Sequence, residues 1–217
     1  MFNSAETGKC PDPSALVVEV NVLVVLAHPL KDSLCHRLAE HVCGELRGAG
    51  HDVVVEDLYE LHFNPKLSSS ERRRYNAPDY RAEGDMRRPI ERLLVAEAIV
   101  LVFPTWWSGL PAILKGWVDR VWVPDIAFDH RQDVSVLKPL LGNLRYLVVV
   151  TTLASPWWLD WFLLGRPVAK MFKYALLPSC AVDCRFRMLS LYRGGRIGET
   201  RFRGFKIRIS RVLSGLH

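Results

Sequence analysis

The hydrophobic pattern of this chain changes between two periods. Short apolar runs rich in Val, Ile and Leu are separated by longer stretches in which apolar residues recur every three or four positions. Such runs predict buried strands, and such stretches predict helices with one buried face. In chain order, the predicted strands are residues 17–27, 53–56, 98–103 and 145–151, with a short last strand near 181–186.

Predicted helices alternate with these strands. They are residues 33–46, 89–97, 110–122, 157–177 and 199–213, and the polar stretch 62–88 predicts a long loop or short helices. This alternation predicts an α/β fold with a parallel sheet that is covered by helices on both faces. Because the first fifteen residues mix prolines with charged side chains, we expect a flexible tail at 1–15 and a single domain at 16–217.

The composition is typical of one globular domain. The 217 residues are 49% hydrophobic and 24% charged. Neither a signal peptide nor a transmembrane helix is predicted, because the start is polar and charged residues interrupt the apolar stretch 153–178. The five cysteines form no C-x-x-C pair and no metal site, so we expect reduced thiols in a cytoplasmic protein.

Positive charge is concentrated near the end of the chain. The net charge is +6, and residues 185–211 contain nine Lys or Arg residues and one acid, Glu199. A cationic face attracts anionic ligands such as NADPH phosphates or anionic lipid surfaces, although a solvated last helix and strand edge are the alternative. No recognised nucleic-acid motif accompanies the charge, so no nucleic-acid partner is expected.

The most restrictive segment of the sequence is residues 103–120. A predicted strand stops at Pro104, two adjacent tryptophans and Gly109 follow, and Pro111 stands in the first turn of the next helix. An aromatic loop at the carboxyl end of a buried strand indicates a surface on which a planar ligand rests.

A second loop has the features of a phosphate site. His28 follows the first predicted strand, and Asp32 and Ser33 lead into the first predicted helix. The first turn of a helix exposes unbonded N–H groups and a partial positive charge, both of which suit a phosphate. The chain has no G-x-G-x-x-G or Walker sequence, so a Rossmann dinucleotide site and nucleotide hydrolysis are disfavoured.

These two loops and the segment 57–65 (Asp57-Leu58-Tyr59 through Phe63-Asn64-Pro65) resemble the NAD(P)H:quinone oxidoreductases, DT-diaphorase-like flavoproteins. The resemblance covers residues 20–152 and implies a flavodoxin-like fold with a five-stranded parallel sheet of order 2-1-3-4-5. In that order the loops after the first and third strands meet where the winding reverses, a rule for which flavodoxin is itself a standard example.

The resemblance also implies where a flavin and its substrates bind. The flavin is the reactive group, and no residue is predicted to be catalytic. Phe128 and Trp107 are the predicted substrate contacts. The predicted cofactor-binding residues are His28, Asp32, Ser33, Leu34, Cys35, Pro104, Thr105, Trp106, Trp107, Ser108, Thr151 and Thr152.

Simpler interpretations remain for several of these residues. Asp32 or Ser33 could be a plain helix cap, the paired tryptophans could be core or subunit-contact residues, and Phe128 with its neighbour His130 could form an ordinary surface turn. Trp117, which lies at helical spacing, is predicted to be a core residue.

The chain also departs from the family pattern. Relatives have two glycines after the threonine pair, where this chain has Leu153 and Ala154. The tryptophan-rich stretch that follows supplies no matching tyrosine or histidine, so no acid or base is assigned there. This stretch, residues 157–172, is expected either to cover the pocket, to form a dimer face or to be an ordinary core helix.

Three functions are compatible with the sequence. The first is a homodimeric, flavin-dependent NAD(P)H dehydrogenase (quinone), with FAD narrowly favoured over FMN and a quinone or similar acceptor. The second is a flavin-binding regulatory subunit of a membrane transporter, of the potassium-efflux ancillary type, with peripheral membrane or transporter contact through the basic C-terminal segment. The third, a one-electron carrier flavodoxin, is disfavoured because such carriers are acidic, whereas the pI here is about 9.2.

Overall fold

A computed structural model describes residues 19–75, 84–129 and 137–217. Five strands form one parallel sheet in the order β2-β1-β3-β4-β5, which confirms the predicted order 2-1-3-4-5. The strands are β1 (Asn21–Leu26), β2 (Asp52–Asp57), β3 (Ala98–Pro104), β4 (Tyr146–Leu153) and β5 (Arg185–Tyr192). The predicted tail at 1–15 lies outside the described residues.

Helices cover both faces of this sheet. They are α1 (Leu34–Gly48), α2 (Ser69–Arg74), α3 (Arg87–Val95), α4 (Ala112–Val121) and α5 (Glu199–Leu213). The last helix has the bounds that the sequence predicts. In the part of the chain that the structure describes, no helix has both the length and the apolar character that a membrane crossing needs.

The central strand β3 explains why the sheet has two cores. All seven of its residues are buried, as expected for a parallel strand between two helical layers. Ile99, Leu101 and Phe103 pack on the side that includes residues of α3 and α4. Val100 and Val102, which point the opposite way, pack in a second cluster with residues of α1 and α5.

Within the polar stretch 62–88, the described residues 62–75 and 84–88 are held against α4 by an arginine and a glycine. The buried Arg120 donates hydrogen bonds to the Glu71 carboxylate at 2.6 Å and to the Asp85 carboxylate at 3.2 Å. A Cβ atom added at Gly116 would overlap the backbone and ring of Pro65. The loop therefore packs on α4 at a distance that only glycine allows.

Segment 157–180, which includes the tryptophan-rich stretch, differs from a continuous helix over the helical region predicted at 157–177. It contains π-helical turns at Leu159–Leu163 and Met171–Leu176 and short α-helices at Pro167–Lys170 and Leu177–Cys180. The break has a physical cause, because Gly165 and Arg166 adopt left-handed backbone angles with φ of 65° and 56°. Pro167 follows them at the start of the next helix and has no backbone N–H to donate.

The position of the last predicted strand was wrong. Residues 181–184 form a turn, in which the Cys184 N–H donates to the Ala181 carbonyl at 3.1 Å. The strand begins only at Arg185 and runs to Tyr192, at the edge of the sheet beside β4. Its first half alternates exposed arginines with half-buried apolar residues, a pattern that in the sequence was grouped with the basic segment.

Candidate functional site

A cleft of about 530 Å³ opens at the carboxyl ends of β1, β3 and β4. It lies where the strand order reverses between β1 and β3, which is the position at which open α/β sheets bind ligands. Residues from four separate chain segments form its walls. They are His28, Leu30, Asp32, Ser33, Leu34, Cys35, Pro104, Thr105, Trp106, Thr152, Leu153, Ala154, Gly194 and Gly195.

One wall is the start of α1. Ser33 is the N-cap of this helix, and its hydroxyl oxygen accepts a hydrogen bond from the His36 backbone N–H at 3.3 Å. Helix geometry leaves the N–H groups of Leu34 and Cys35 without an acceptor inside the helix. These donors and the positive end of the helix dipole make this wall suited to an anionic group.

A buried polar network lies behind Ser33. The Ser33 hydroxyl oxygen is 3.0 Å from His36 Nδ1, and His36 Nε2 is 3.1 Å from Asp57 Oδ2. Asp57 also accepts hydrogen bonds from Lys31 Nζ at 2.8 Å and from the Glu60 backbone N–H at 3.2 Å. Burial by itself would raise the pKa of Asp57, but the bonds from Lys31, Glu60 and His36 lower it below its usual value.

His28 and Cys35 are both affected by burial at this wall. Burial lowers the pKa of His28, whose Nδ1 accepts a hydrogen bond from the Leu30 backbone N–H at 3.0 Å. Burial raises the pKa of the Cys35 thiol to about 11. Its sulfur lies 3.7 Å from the Thr152 hydroxyl. Cys35 is therefore a neutral thiol at physiological pH, and it contributes packing and weak hydrogen bonding rather than nucleophilic chemistry.

The opposite wall is the segment after β3. The Thr105 backbone N–H donates to the Thr152 carbonyl at 2.9 Å, and the hydroxyl groups of Thr105 and Thr151 are 2.7 Å apart. These bonds tie the segment to the end of β4. The Trp106 ring lies 6.2 Å from the ring of His28, centroid to centroid. Its indole therefore stands next to His28, in the loop after β1.

A tight turn extends this wall outward. Trp106 and Gly109 exchange backbone hydrogen bonds of 3.2 and 2.9 Å, and Trp107 and Ser108 between them have φ of 49° and 59°. Two left-handed central residues are the mark of a type I′ turn, a conformation that residues other than glycine adopt only at a cost. The turn holds the Trp107 side chain fully in solvent, with a relative exposure of 102%.

Most of the predicted cofactor-binding residues meet in this cleft. Trp107, Ser108 and Thr151 do not line it: the first two belong to the projecting turn, and Thr151 is fully buried beneath Thr105. Phe128, the other predicted substrate contact, lies outside the cleft, where it forms a short ribbon with Pro139 and packs against the core. Its neighbour His130 lies outside the described residues.

Two glycines of the cleft were missed in the sequence. Gly194 and Gly195 reach it because β5 pairs in parallel with β4, which places Leu153 beside Tyr192. A Cβ atom at Gly194 would come within 3.5 Å of Thr152 and 3.8 Å of Leu34. The sequence shows the Gly-Gly pair plainly, but only the strand register shows which wall it forms.

The arrangement fits a flavin nucleotide. The cleft volume is within the range of about 300–1,000 Å³ that small-molecule sites occupy. The start of α1 offers unbonded N–H groups and a hydroxyl to a phosphate, and the Trp106 indole offers an aromatic surface to a planar ring. Residues that could hold the two ends of such a molecule therefore line one continuous hollow.

A model of the flavodoxin-like fold family matches residues 20–174 of this sequence, well over half of the chain. The chain belongs to this family. The matched span runs from the start of β1 into the tryptophan-rich stretch and contains the two loops that form most of the cleft.

Individual curated proteins are also similar to this chain. The chain is similar to the NAD(P)H dehydrogenase (quinone) 1 of Rattus norvegicus, with 34% identity over 145 residues that cover 60% of this chain and 52% of the relative. It spans between about half and three fifths of the length of the first curated relatives that it matches.

Solved structures extend the comparison. An NAD(P)H:quinone oxidoreductase from Methanothermobacter marburgensis is 25% identical with a TM-score of 0.76, over 92% of this chain and 99% of that one. An azoreductase from Bacillus anthracis, solved in complex with FMN, shares the fold at 14% identity and a TM-score of 0.66, over 89% and 97% of the two chains.

Proposed function

We propose that this chain is a flavin-dependent NAD(P)H dehydrogenase that passes two electrons to a quinone or a similar acceptor. The observation that carries the proposal is the cleft at the ends of β1 and β3, where a helix start and an aromatic wall face one hollow. The names of the relatives support the same class of reaction. A flavin bound there would supply the redox chemistry, taking hydride from NAD(P)H and reducing the acceptor.

The residues of the chain bind and orient the two substrates and the cofactor. The N–H groups of Leu34 and Cys35 and the Ser33 hydroxyl would hold the phosphate. Thr105 and Trp106 would hold the ring, because the bonds of Thr105 to β4 fix that wall in place. The exposed indole of Trp107 is available for the nicotinamide or the acceptor. None of these residues is assigned as an acid or a base.

Cofactor identity and assembly belong to the same proposal. FAD remains narrowly favoured over FMN by the resemblance to quinone oxidoreductases, although the azoreductase of the same fold was solved with FMN. NADPH is favoured by the net positive charge. We also propose a cytoplasmic homodimer in which residues 16–217 form one domain. Sedimentation of the purified protein tests the dimer.

A visible spectrum tests the proposed function directly. The purified protein should absorb as a flavoprotein, lose that absorbance when NADPH is added anaerobically, and regain it when a quinone follows. Mass spectrometry of the cofactor released on denaturation identifies FAD or FMN. A colourless preparation that neither FMN nor FAD restores would end the proposal.

A pair of tryptophan variants connects that test to the cleft. Trp106→Ala should weaken flavin binding, because the Trp106 indole lines the cleft. Trp158→Ala is the matched control, since Trp158 is half exposed and is not among the residues that line the cleft. Equal losses of flavin affinity in the two variants would show that the flavin binds elsewhere.

The other two hypotheses gain no comparable support. Contact with a transporter or membrane through the basic segment 185–211 stays a prediction. In the structure this segment is divided between β5 and α5, with the Arg201 side chain bonded to the Tyr192 carbonyl at 2.9 Å. A stable blue semiquinone on photoreduction would instead favour the one-electron carrier.

A further inference from the structure

A buried histidine stands directly behind the proposed phosphate site. His36 lies in the first turn of α1 with only 9% of its surface exposed, and it does not line the cleft. Its ring joins Asp57 to Ser33, and Ser33 does line the cleft. We propose that His36 is a positioning residue that sets the direction of the Ser33 hydroxyl, so that binding of the flavin phosphate is coupled to protonation of His36. This inference rests on the proposed function.

The hydrogen bond between His36 and Asp57 has a fixed direction. Asp57 accepts hydrogen bonds from Lys31 Nζ and from the backbone N–H groups of Tyr59 and Glu60. These bonds keep its carboxylate ionised, and an ionised carboxylate can only accept hydrogen bonds. His36 Nε2 must therefore carry the hydrogen in the 3.1 Å contact with Asp57.

When His36 is neutral, its other nitrogen has no hydrogen. Nδ1 then accepts the O–H of Ser33 across the 3.0 Å contact. The Ser33 oxygen uses one of its two lone pairs to accept the His36 backbone N–H. The second lone pair is left toward the cleft, and it repels an anionic phosphate oxygen.

When His36 is protonated, the same contact reverses. Nδ1–H now donates to the Ser33 oxygen, whose two lone pairs are occupied by Nδ1–H and by the His36 backbone N–H. The Ser33 O–H is left to donate to a phosphate oxygen, and such charge-assisted bonds are stronger than neutral ones. The positive ring adds to the attraction. By linkage, a bound phosphate favours proton uptake at His36.

Other charged groups lie near His36, and their effects on the pH dependence must be distinguished from its own. His28, whose ring centroid is 6.4 Å from that of His36, is the histidine that lines the cleft. The loop after β1 contributes Lys31 and Asp32, and the end of β2 with the loop after it contributes Asp57 and Glu60. The neighbouring residues of α1 are Cys35, Arg37 and Glu40, and Glu199 of α5 pairs with Arg37. His28 is the imidazole among these groups, so a His28 variant separates its effect from that of His36.

Two flavins that differ by a phosphate test the coupling. The dissociation constants of FMN and riboflavin for the apoprotein are measured by flavin fluorescence at about pH 6 and pH 8.5. Their ratio reports the contribution of the phosphate. Because the FMN phosphate itself titrates near pH 6, the decisive quantity is the difference between wild type and His36→Gln. The preference for FMN over riboflavin should fall as the pH rises from about 6 to about 8.5. This fall should be on the order of tenfold larger in wild type than in His36→Gln.

Three further variants identify the responsible groups. Ser33→Ala should remove the same pH dependence, because the hydroxyl that His36 orients is gone. His28→Gln should keep it. His41→Gln is the matched control on the same helix, since His41 faces away from the cleft and lies 3.1 Å from both the Lys206 carbonyl and the Ser210 hydroxyl. It should also keep the wild-type dependence.

Two outcomes would overturn the inference, and a third concerns the proposed function instead. Equal pH dependence in wild type and His36→Gln would show that His36 is only structural. If that variant does not fold, nitrogen NMR of the wild-type imidazoles decides, because saturating FMN should place a proton on Nδ1 of His36 at a pH where the free protein lacks it. No such change overturns the coupling. Failure of wild type to bind any flavin refutes the proposed function.

Discussion

Exposed aromatic side chains are distributed differently in two regions of the molecule. In the region of residues 19–129, which forms most of the cleft, Phe103 and Trp117 are fully buried. In the C-terminal region, residues 157–217, Trp157 and Trp161 expose half of their surface and Phe162 exposes 77%. The first region uses its aromatic residues to form a core, with Trp106 and Trp107 as the exceptions at the site. The second buries Phe172, Phe202 and Phe205 but leaves Trp157, Trp158, Trp161 and Phe162 at least half exposed.

The buried aromatic residues stabilise the fold, whereas the exposed ones are available for contact with another molecule. Exposed apolar clusters of this kind mark interaction surfaces in soluble proteins. The exposed tryptophans lie near Arg166, whose guanidinium stacks 4.3 Å from the Trp161 ring centroid. The C-terminal region is therefore where the contact of the proposed homodimer should be sought first.

The largest expected effect comes from one substitution made in both regions. Phe103→Ala should lower the free energy of unfolding by about 3–5 kcal/mol, because it removes a fully buried ring from β3. Phe162→Ala should change it by less than about 0.5 kcal/mol, because most of that side chain is in solvent. Urea denaturation measures both. Comparable losses would break the comparison.

Two glycines give a smaller contrast of opposite sign. Gly116→Ala should destabilise the fold by about 1–3 kcal/mol, because the new methyl group overlaps Pro65 and the loop must move. Gly204→Ala should stabilise it by about 0.5–1 kcal/mol, since this exposed position of α5 has no atom within 4 Å of the new group. Thermal unfolding of the two variants settles the signs, and a stable Gly116→Ala protein would contradict the close packing of Pro65 on α4.

The two regions should also respond to opposite ends of the pH scale. The folded pKa of Asp57 is lowered, so its contribution to stability is present above the ordinary carboxyl pKa of about 3.9 and is lost as the pH falls. Burial and the hydrogen bond to Asp160 raise the pKa of Tyr192. Its contribution is therefore present below the ordinary tyrosine pKa of about 10 and is lost as the pH rises through the folded value.

Denaturation midpoints across the pH range test these signs. Asp57→Asn should flatten the decline of stability in acid and leave the alkaline side unchanged. Tyr192→Phe should do the reverse. A variant that changes the acid and alkaline sides equally would show that the side chain with the shifted pKa is not responsible for the pH dependence.

The smallest expected effect on stability is at the turn of the cleft. Trp107→Ala should change the free energy of unfolding by less than about 0.5 kcal/mol, because the indole is fully exposed. It should nevertheless raise the KM for the nicotinamide or the quinone about two- to tenfold, as expected for the loss of an aromatic contact of about 0.5–1.5 kcal/mol. Steady-state kinetics beside Trp158→Ala checks this. Unchanged kinetics would leave Trp107 without a role at the site.

The sequence predicts the first region better than the second for a physical reason. The strands β1 and β3 are continuous apolar runs, and the residues that follow them stand at the site because parallel strands end on one edge. In the C-terminal region, the predicted helix breaks at Gly165, Arg166 and Pro167. The glycine and the proline are visible breaking signals, but left-handed geometry in an arginine has no sequence signal. The basic residues of β5 likewise obscured where the last strand begins and ends.

The parts of the site that were missed depend on tertiary contacts. His36 and Asp57 are 21 residues apart and meet because β2 ends beside α1. Gly194 reaches the cleft through the register of β4 and β5. Neither adjacency can be obtained from local periodicity, whereas Ser33 could be predicted because a helix cap is a local feature.

The type I′ turn of Trp107 and Ser108 limits how this loop can be redesigned. Valine, isoleucine and threonine are poorly tolerated at left-handed positions, and glycine, asparagine and aspartate are accepted readily. Libraries at positions 107 and 108 that aim to change acceptor preference should therefore be restricted to glycine, asparagine and aspartate. Broader diversity belongs at Ala154, where the backbone is not left-handed and the side chain borders the cleft.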